Sequence, residues 1–144
     1  MVDISAKPDT QREAVAKGVV RMQPSTLDRL RKGEMAKGDV LAVAQLAGIM
    51  AAKQTPHIIP LCHPILIADV KVEFSLDEAS NTVEITTTVK STGKTGVEME
   101  ALTSTAVTAL TIYDMCKAVD RSLKIENIRL VRKSGGKSGA ITLE

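Results

Sequence analysis

Val70-Lys71-Val72-Glu73-Phe74-Ser75-Leu76 and, after a break at Asp77 to Asn81, Val83-Glu84-Ile85-Thr86-Thr87-Thr88-Val89-Lys90 are two runs of period two. Side chains alternate across a strand, so each run puts Val, Ile, Phe or Leu on one face and Lys, Glu or Ser on the other. The polar break supplies a turn, and the pair reads as one antiparallel hairpin with one apolar and one wet face. Such a hairpin needs helices on a single side. Upstream, a weakly alternating stretch from Ala14 to Met22 reads as a strand that stops at Pro24, where a backbone donor is lost. Ser25 and Asp28 form a variant capping box for a short helix closed by Gly33. Gly38-Asp39 opens a second helix, and from Val40 to Ala52 only Gln45 is clearly polar. An all-round apolar helix must be covered by the sheet, other helices or a second subunit.

Pro56, Pro60 and Pro64 then predict a stiff, non-helical ledge, because proline fixes φ and extends the residue before it. Downstream of the hairpin, the glycines of Thr92-Gly93-Lys94-Thr95-Gly96 precede a long helix of about Val97 to Val119. A last strand lies around Ile128 to Arg132. The order β, α, α, β, β, α, β is the split βαβ pattern with one helix doubled. The expected fold is α+β: a ferredoxin-like sandwich, an antiparallel sheet with helices on one face. The 144 residues show no composition break or repeat, so they read as one domain, with 133–144 a mobile basic tail.

A net charge of +2, scattered basic residues, one Phe, one Tyr and no Trp argue against nucleic acid, since bases would find almost nothing to stack on. Cys62 and Cys116 suit neither a disulfide framework nor zinc spacing. No apolar segment is long enough to span a bilayer and no secretory signal is visible, which gives a cytoplasmic expectation without membrane contact.

Two places carry chemistry. Ile59-Pro60-Leu61-Cys62-His63-Pro64 sets a thiol beside an imidazole on the proline-braced ledge, and His63 is suited to orient a substrate oxygen. In the long helix no charge occurs from Ala101 to Tyr113, and then Asp114 and Lys117 appear three apart on the stripe of Thr103, Val107 and Leu110. An i, i+3 ion pair is the plain structural account. The helix's poverty of charge favours a functional one, because ionisable groups in apolar surroundings have movable pKa values. Glu98 and Glu100 flank Met99 at the helix start, where acids also complement the macrodipole. Lys37 precedes a helix N-terminus, where it opposes the dipole, and that leans towards holding an anion. Gly136-Lys137-Ser138 is not a phosphate loop: Val131 stands where the first glycine would fall.

Met1-Val2-Asp3-Ile4-Ser5, Lys37-Gly38-Asp39, Ile59-Pro60-Leu61-Cys62-His63-Pro64, Gly96-Val97-Glu98-Met99-Glu100-Ala101-Leu102-Thr103, Tyr113-Asp114-Met115-Cys116-Lys117 and Lys133-Ser134-Gly135-Gly136-Lys137-Ser138-Gly139, in that order, resemble the MoaC family, the cyclic pyranopterin monophosphate synthases of molybdenum cofactor biosynthesis. Many members carry a further segment ahead of the Met1-Val2-Asp3 motif. The resemblance implies a lyase that rearranges 3′,8-cyclo-7,8-dihydroguanosine 5′-triphosphate to cyclic pyranopterin monophosphate and releases diphosphate. It implies a homohexamer of three dimers with each active site between two subunits. By position, Asp114 matches a catalytic aspartate, and Lys117 and Lys37 match acid–base lysines. Leu61, Cys62 and His63, with Glu98, Met99 and Glu100, match substrate-contacting segments, and Arg12 and Lys133 are the expected triphosphate ligands. No resident metal or cofactor is expected, and a divalent ion accompanying the triphosphate is left open. The competing expectation is a non-catalytic nucleotide- or pterin-binding regulatory module, since fold does not fix function.

Overall fold

The computed structural model describes all residues 1–144. Strand β1 (Thr10–Arg21) leads into helices α1 (Pro24–Lys32) and α2 (Val40–Ile58). The hairpin β2 (Ile67–Asp77) and β3 (Thr82–Gly93) follows, then α3 (Glu98–Cys116), β4 (Lys124–Ser134) and a short β5 (Ile141–Thr142). The sheet order is β2-β3-β1-β4-β5 with every neighbouring pair antiparallel. β3 therefore lies between the parallel β1 and β2, and β1 between the parallel β3 and β4. These are two interlocked split βαβ units, the ferredoxin-like sandwich that the element order predicts.

The predicted alternation sets the layers. Val83, Ile85, Thr87 and Val89 of β3 and Ala14, Ala16 and Val20 of β1 are fully buried. Their faces carry α3 and α2, while Lys17, Glu84, Glu13 and Arg132 form ion pairs on the opposite face. Where the helices cross, small residues let the backbones approach: a Cβ on Gly48 would lie 2.2 Å from Thr108 Oγ1, and one on Gly18 of β1 would lie 2.9 Å from Thr105 Cγ2. No helix is long and apolar enough to cross a membrane.

Several local expectations are corrected. Pro24 takes the first position of α1, and the N-cap is Gln23 with no side-chain cap bond, so the Ser25/Asp28 box does not form. The cap comes instead from Asp120, whose carboxylate accepts from Gln23 N and Thr26 Oγ1, both at 2.8 Å. α2 continues to Ile58 with Pro56 inside it, so the ledge begins only at Ile59. Pro56 sits in the last turn and forfeits a single helix bond there. Asp39 is the N-cap of α2, accepting from Ala42 N at 3.1 Å. α3 ends at Cys116, and β1 and β4 extend beyond the residues the alternation marks. Where the sequence places a basic tail, the chain turns at Gly135 and Gly136 and returns as β5 against β4, with Leu143 N donating to Val131 O at 2.9 Å.

Candidate active site

The expected catalytic residues meet at the C-terminal end of α3. Asp114 Oδ2 accepts from Lys37 Nζ at 2.7 Å, and Asp114 Oδ1 takes Lys117 Nζ at 2.9 Å. Lys37 arrives from the loop between α1 and α2 and also donates to the main-chain oxygen of Asp114 at 3.3 Å. One carboxylate thus holds two ammoniums. Hydrogen bonds from Lys37 and then Lys117, reinforced by their charges, hold the Asp114 carboxyl down to about 2. The Asp114 hydrogen bond raises the Lys117 ammonium above its ordinary value, so it stays protonated. The surroundings are not the apolar ones the helix composition suggests. The three side chains are 50 to 57% exposed, and the stripe of α3 that ends in Asp114 and Lys117 runs from buried Thr103 outward to exposed Leu110. Ion pairing, not burial, sets these protonation states.

The expected substrate-binding residues gather at the other end of the same helix. Glu98 Oε1 accepts from Lys133 Nζ of β4 at 2.7 Å. Burial would raise the Glu98 carboxyl, but the Lys133 hydrogen bond and the charges of Lys133 and Arg12 outweigh it and hold it low. Glu100 is 2% exposed, and burial, followed by the charge of Glu98, pushes its carboxyl up. Cys62 is close enough to feel that charge: burial first, then Glu100, raises its thiol. His63 is held by Val2, whose main-chain oxygen lies 2.7 Å from Nε2. A carbonyl only accepts, so Nε2 carries the proton. Leu61 and Met99 are exposed beside these groups.

Arg12 and Lys133 line a cleft of about 810 Å³ walled by residues 6–8, 94–96 and 133–138. Arg12 Nε donates to Gly93 O at 3.2 Å. Its guanidinium lies on the glycine turn, where a Cβ on Gly136 would come 1.7 Å from the Arg12 terminal nitrogen. Only glycine permits that approach, and Gly136 also has φ +75. Lys7 and Lys94 are cleft cations that sequence reasoning does not single out, and Lys137, set aside there as a phosphate-loop lysine, is a third. The signal for Lys94 and Lys137 is the pair of glycine–lysine segments Gly93-Lys94-Thr95-Gly96 and Gly135-Gly136-Lys137, which the topology brings to one cleft.

The two clusters do not meet within one chain. Sixteen residues of helix separate Glu98 from Asp114, roughly 24 Å at 1.5 Å per residue. Between the ends, the outward faces of the helices carry exposed apolar residues: Val43, Leu46 and Met50 on α2, Met99 and Leu110 on α3.

The sequence profile of the MoaC family matches residues 1–136. A protein of Roseiflexus sp. (strain RS-1) named cyclic pyranopterin monophosphate synthase is 66% identical over 139 residues, covering 96% of this chain and 88% of its own length. Relatives of the same name from Roseiflexus castenholzii and Heliobacterium modesticaldum are 61% and 63% identical. They cover 100% and 96% of this chain and 91% and 87% of their own lengths.

Proposed function

This chain belongs to the MoaC family, and on that premise we propose that it is a cyclic pyranopterin monophosphate synthase. It acts in the cytoplasm as a lyase of molybdenum cofactor biosynthesis, taking 3′,8-cyclo-7,8-dihydroguanosine 5′-triphosphate to cyclic pyranopterin monophosphate and diphosphate. The observation that carries the reading is the Lys37–Asp114–Lys117 cluster, two ammoniums on one low-pKa carboxylate. The reaction opens the aminal of a reduced purine, closes a new ring and forms a cyclic phosphate. It needs proton transfers and neutralised phosphate charge, with no net redox change. Lysines serve both needs.

Asp114 keeps Lys117 protonated in the resting chain, so Lys117 enters as general acid and Lys37, on the same carboxylate, moves the complementary protons. Glu98 and Glu100 receive the guanine-derived amines, with Cys62, Leu61 and Met99 around them, and His63 orients the sugar end. In the last step a sugar-derived hydroxyl attacks the α-phosphorus and the bond to diphosphate breaks. Arg12 and Lys133 bind the triphosphate and stabilise the charge that leaves. The mechanism calls on no resident cofactor.

Proton transfer requires hydrogen-bond reach, roughly 3 Å. Groups two dozen ångströms apart on one chain cannot serve one ring, so the working site combines the α3 C-terminal cluster of one subunit with the cleft of another. The exposed apolar residues of α2 and α3 lie where such a partner would pack. The assembly we infer is a hexamer built as a trimer of dimers. Purified protein given the cyclo-dihydroguanosine triphosphate is expected to form product and diphosphate in equal amounts, with Asp114→Asn and Lys117→Ala forming neither. Tight binding without turnover by the parent would replace the synthase with a sensor.

A further inference from the structure

The cleft's third wall has no regular secondary structure. Residues 2–8 form a strap whose end at 6–8 lines the cleft, with a turn at its middle where Lys7 N donates to Ile4 O at 3.0 Å and Asp3 Oδ1 accepts from Ser5 N at 2.9 Å. Two side chains from elsewhere tie it down. His63 holds Val2 O from the ledge. Lys94, from the glycine loop after β3, donates from Nζ to Lys7 O at 2.7 Å and to Ser5 O at 3.4 Å.

The charge arrangement makes the strap more than a covering. Of the carboxylates in the cleft, Glu98 is taken by Lys133, and Glu13 by Arg132 at 2.6 Å and Lys90 at 3.5 Å. The Lys94 ammonium is committed to carbonyls. Lys7 and Lys137 line the same cleft and form no ion pair. The strap thus brings a lysine without an ion-pair partner to a cleft that Lys137, also unpaired, and Arg12 line as well. Like charges so placed repel unless a polyanion lies between them.

We propose that Lys94 is a positioning residue: by clamping the Ser5–Lys7 backbone it sets Lys7 against the cleft, where Lys7 and Lys137 bind the distal phosphates of the substrate's triphosphate. The proposal rests on the synthase reading for the identity of the ligand. It separates the cations into those nearer α3, Arg12 and Lys133, and a distal pair of which one depends on the clamp. Lys94 acts through Lys7 and not on phosphate itself.

The test is a binding cycle on the full chain with inorganic tripolyphosphate as the probe, by titration calorimetry at fixed ionic strength. Lys7→Ala is expected to weaken binding about tenfold, as is Lys94→Ala, and the double variant also about tenfold, because the second change removes nothing the first has left. Lys94→Arg keeps a donor for the carbonyls and should restore most of the affinity. In turnover, Lys94→Ala should raise KM far more than it lowers kcat, which a general loss of fold would not do.

Additive losses, about a hundredfold for the double variant, would place Lys94 on the phosphate and overturn the clamp. So would a Lys94→Ala protein that binds tripolyphosphate like the parent, or a parent that does not bind it. A parent that binds tripolyphosphate but makes no product would overturn the synthase reading and leave the clamp standing.

Discussion

Gly48 faces α3 where the two long helices cross, and replacing it with alanine tests how closely they are packed. The new Cβ would lie 2.2 Å from Thr108 Oγ1, 3.1 Å from Ser104 Oγ and 3.3 Å from Val72 Cγ2. The last two contacts can relax by tenths of an ångström. The first cannot, because Thr108 is fully buried and its hydroxyl donates to Ser104 O at 2.8 Å. Either Thr108 changes rotamer and gives up that bond, worth about 1 kcal/mol, or the helices separate. Overpacking of this kind costs about 1–3 kcal/mol, against about 1 kcal/mol gained by replacing glycine in a helix interior. The net expectation is up to about 2 kcal/mol of destabilisation, a fall in Tm of roughly 2–4 °C at the middle of that range. Thr108→Ala removes the obstructing oxygen, so in that background Gly48→Ala should be neutral or stabilising. Urea unfolding of the four proteins at one protein concentration gives the coupling directly. If Gly48→Ala cost the same in both backgrounds, or nothing in either, the close approach of the helices at Thr108 would be refuted.

Asp114 should titrate with a midpoint near 2 by carbon-detected NMR, and Lys37→Ala or Lys117→Ala should each move it up towards the usual carboxylate range; an ordinary midpoint in the parent would dissolve the cluster. Asp120 is 5% exposed and its carboxyl sits at about 2: burial opposes this, but hydrogen bonds from Gln23, Ser122 and Thr26 outweigh it. Its folded pKa is depressed, so its contribution to stability is whole above the unfolded value of about 3.9 and is lost as pH falls through about 2. Asp120→Ala should cost about 2–4 kcal/mol at neutral pH, with a smaller loss of stability on acidification than the parent shows, measured by denaturant melts across pH. Gly136→Ala should cost about 1–3 kcal/mol, since an L side chain at φ +75 is strained, and should also weaken tripolyphosphate binding, because its Cβ would meet Arg12 and move the guanidinium; unchanged binding would remove Arg12 from the anion site.

The layers were legible in the sequence because period two in Val70–Leu76 and Val83–Val89, and the long charge-free run of α3, each have one cheap burial solution. The boundaries were less legible where a distant residue does the local work. Nothing near Ser25 shows that Asp120, far along the chain, caps α1, and Pro56 looks like a helix breaker until its place in the last turn is known. The chemistry-bearing residues could be picked from spacing and resemblance, but their distribution could not. Glu98 and Asp114 read as parts of one site in the sequence, whereas a straight helix holds them at its two ends. Lys7 gave no pattern because its ammonium has no ion-pair partner and what ties it down, Lys94, bonds main-chain carbonyls, which any residue supplies.

Subunit complementation tests the two-chain site most directly. Lys117→Ala disables the α3 C-terminal cluster, and Lys133→Ala disables the cleft. Each homo-oligomer should be inactive. When the two variants are mixed in equal amounts, unfolded and reassembled together, half of the dimers are hybrids with one intact site of two, which returns roughly a quarter of the parent's diphosphate release. Recovery near that level is the expected result. No recovery from hybrids whose mixed composition is verified by mass would mean that each chain works alone, and the division of the site across α3 would be wrong.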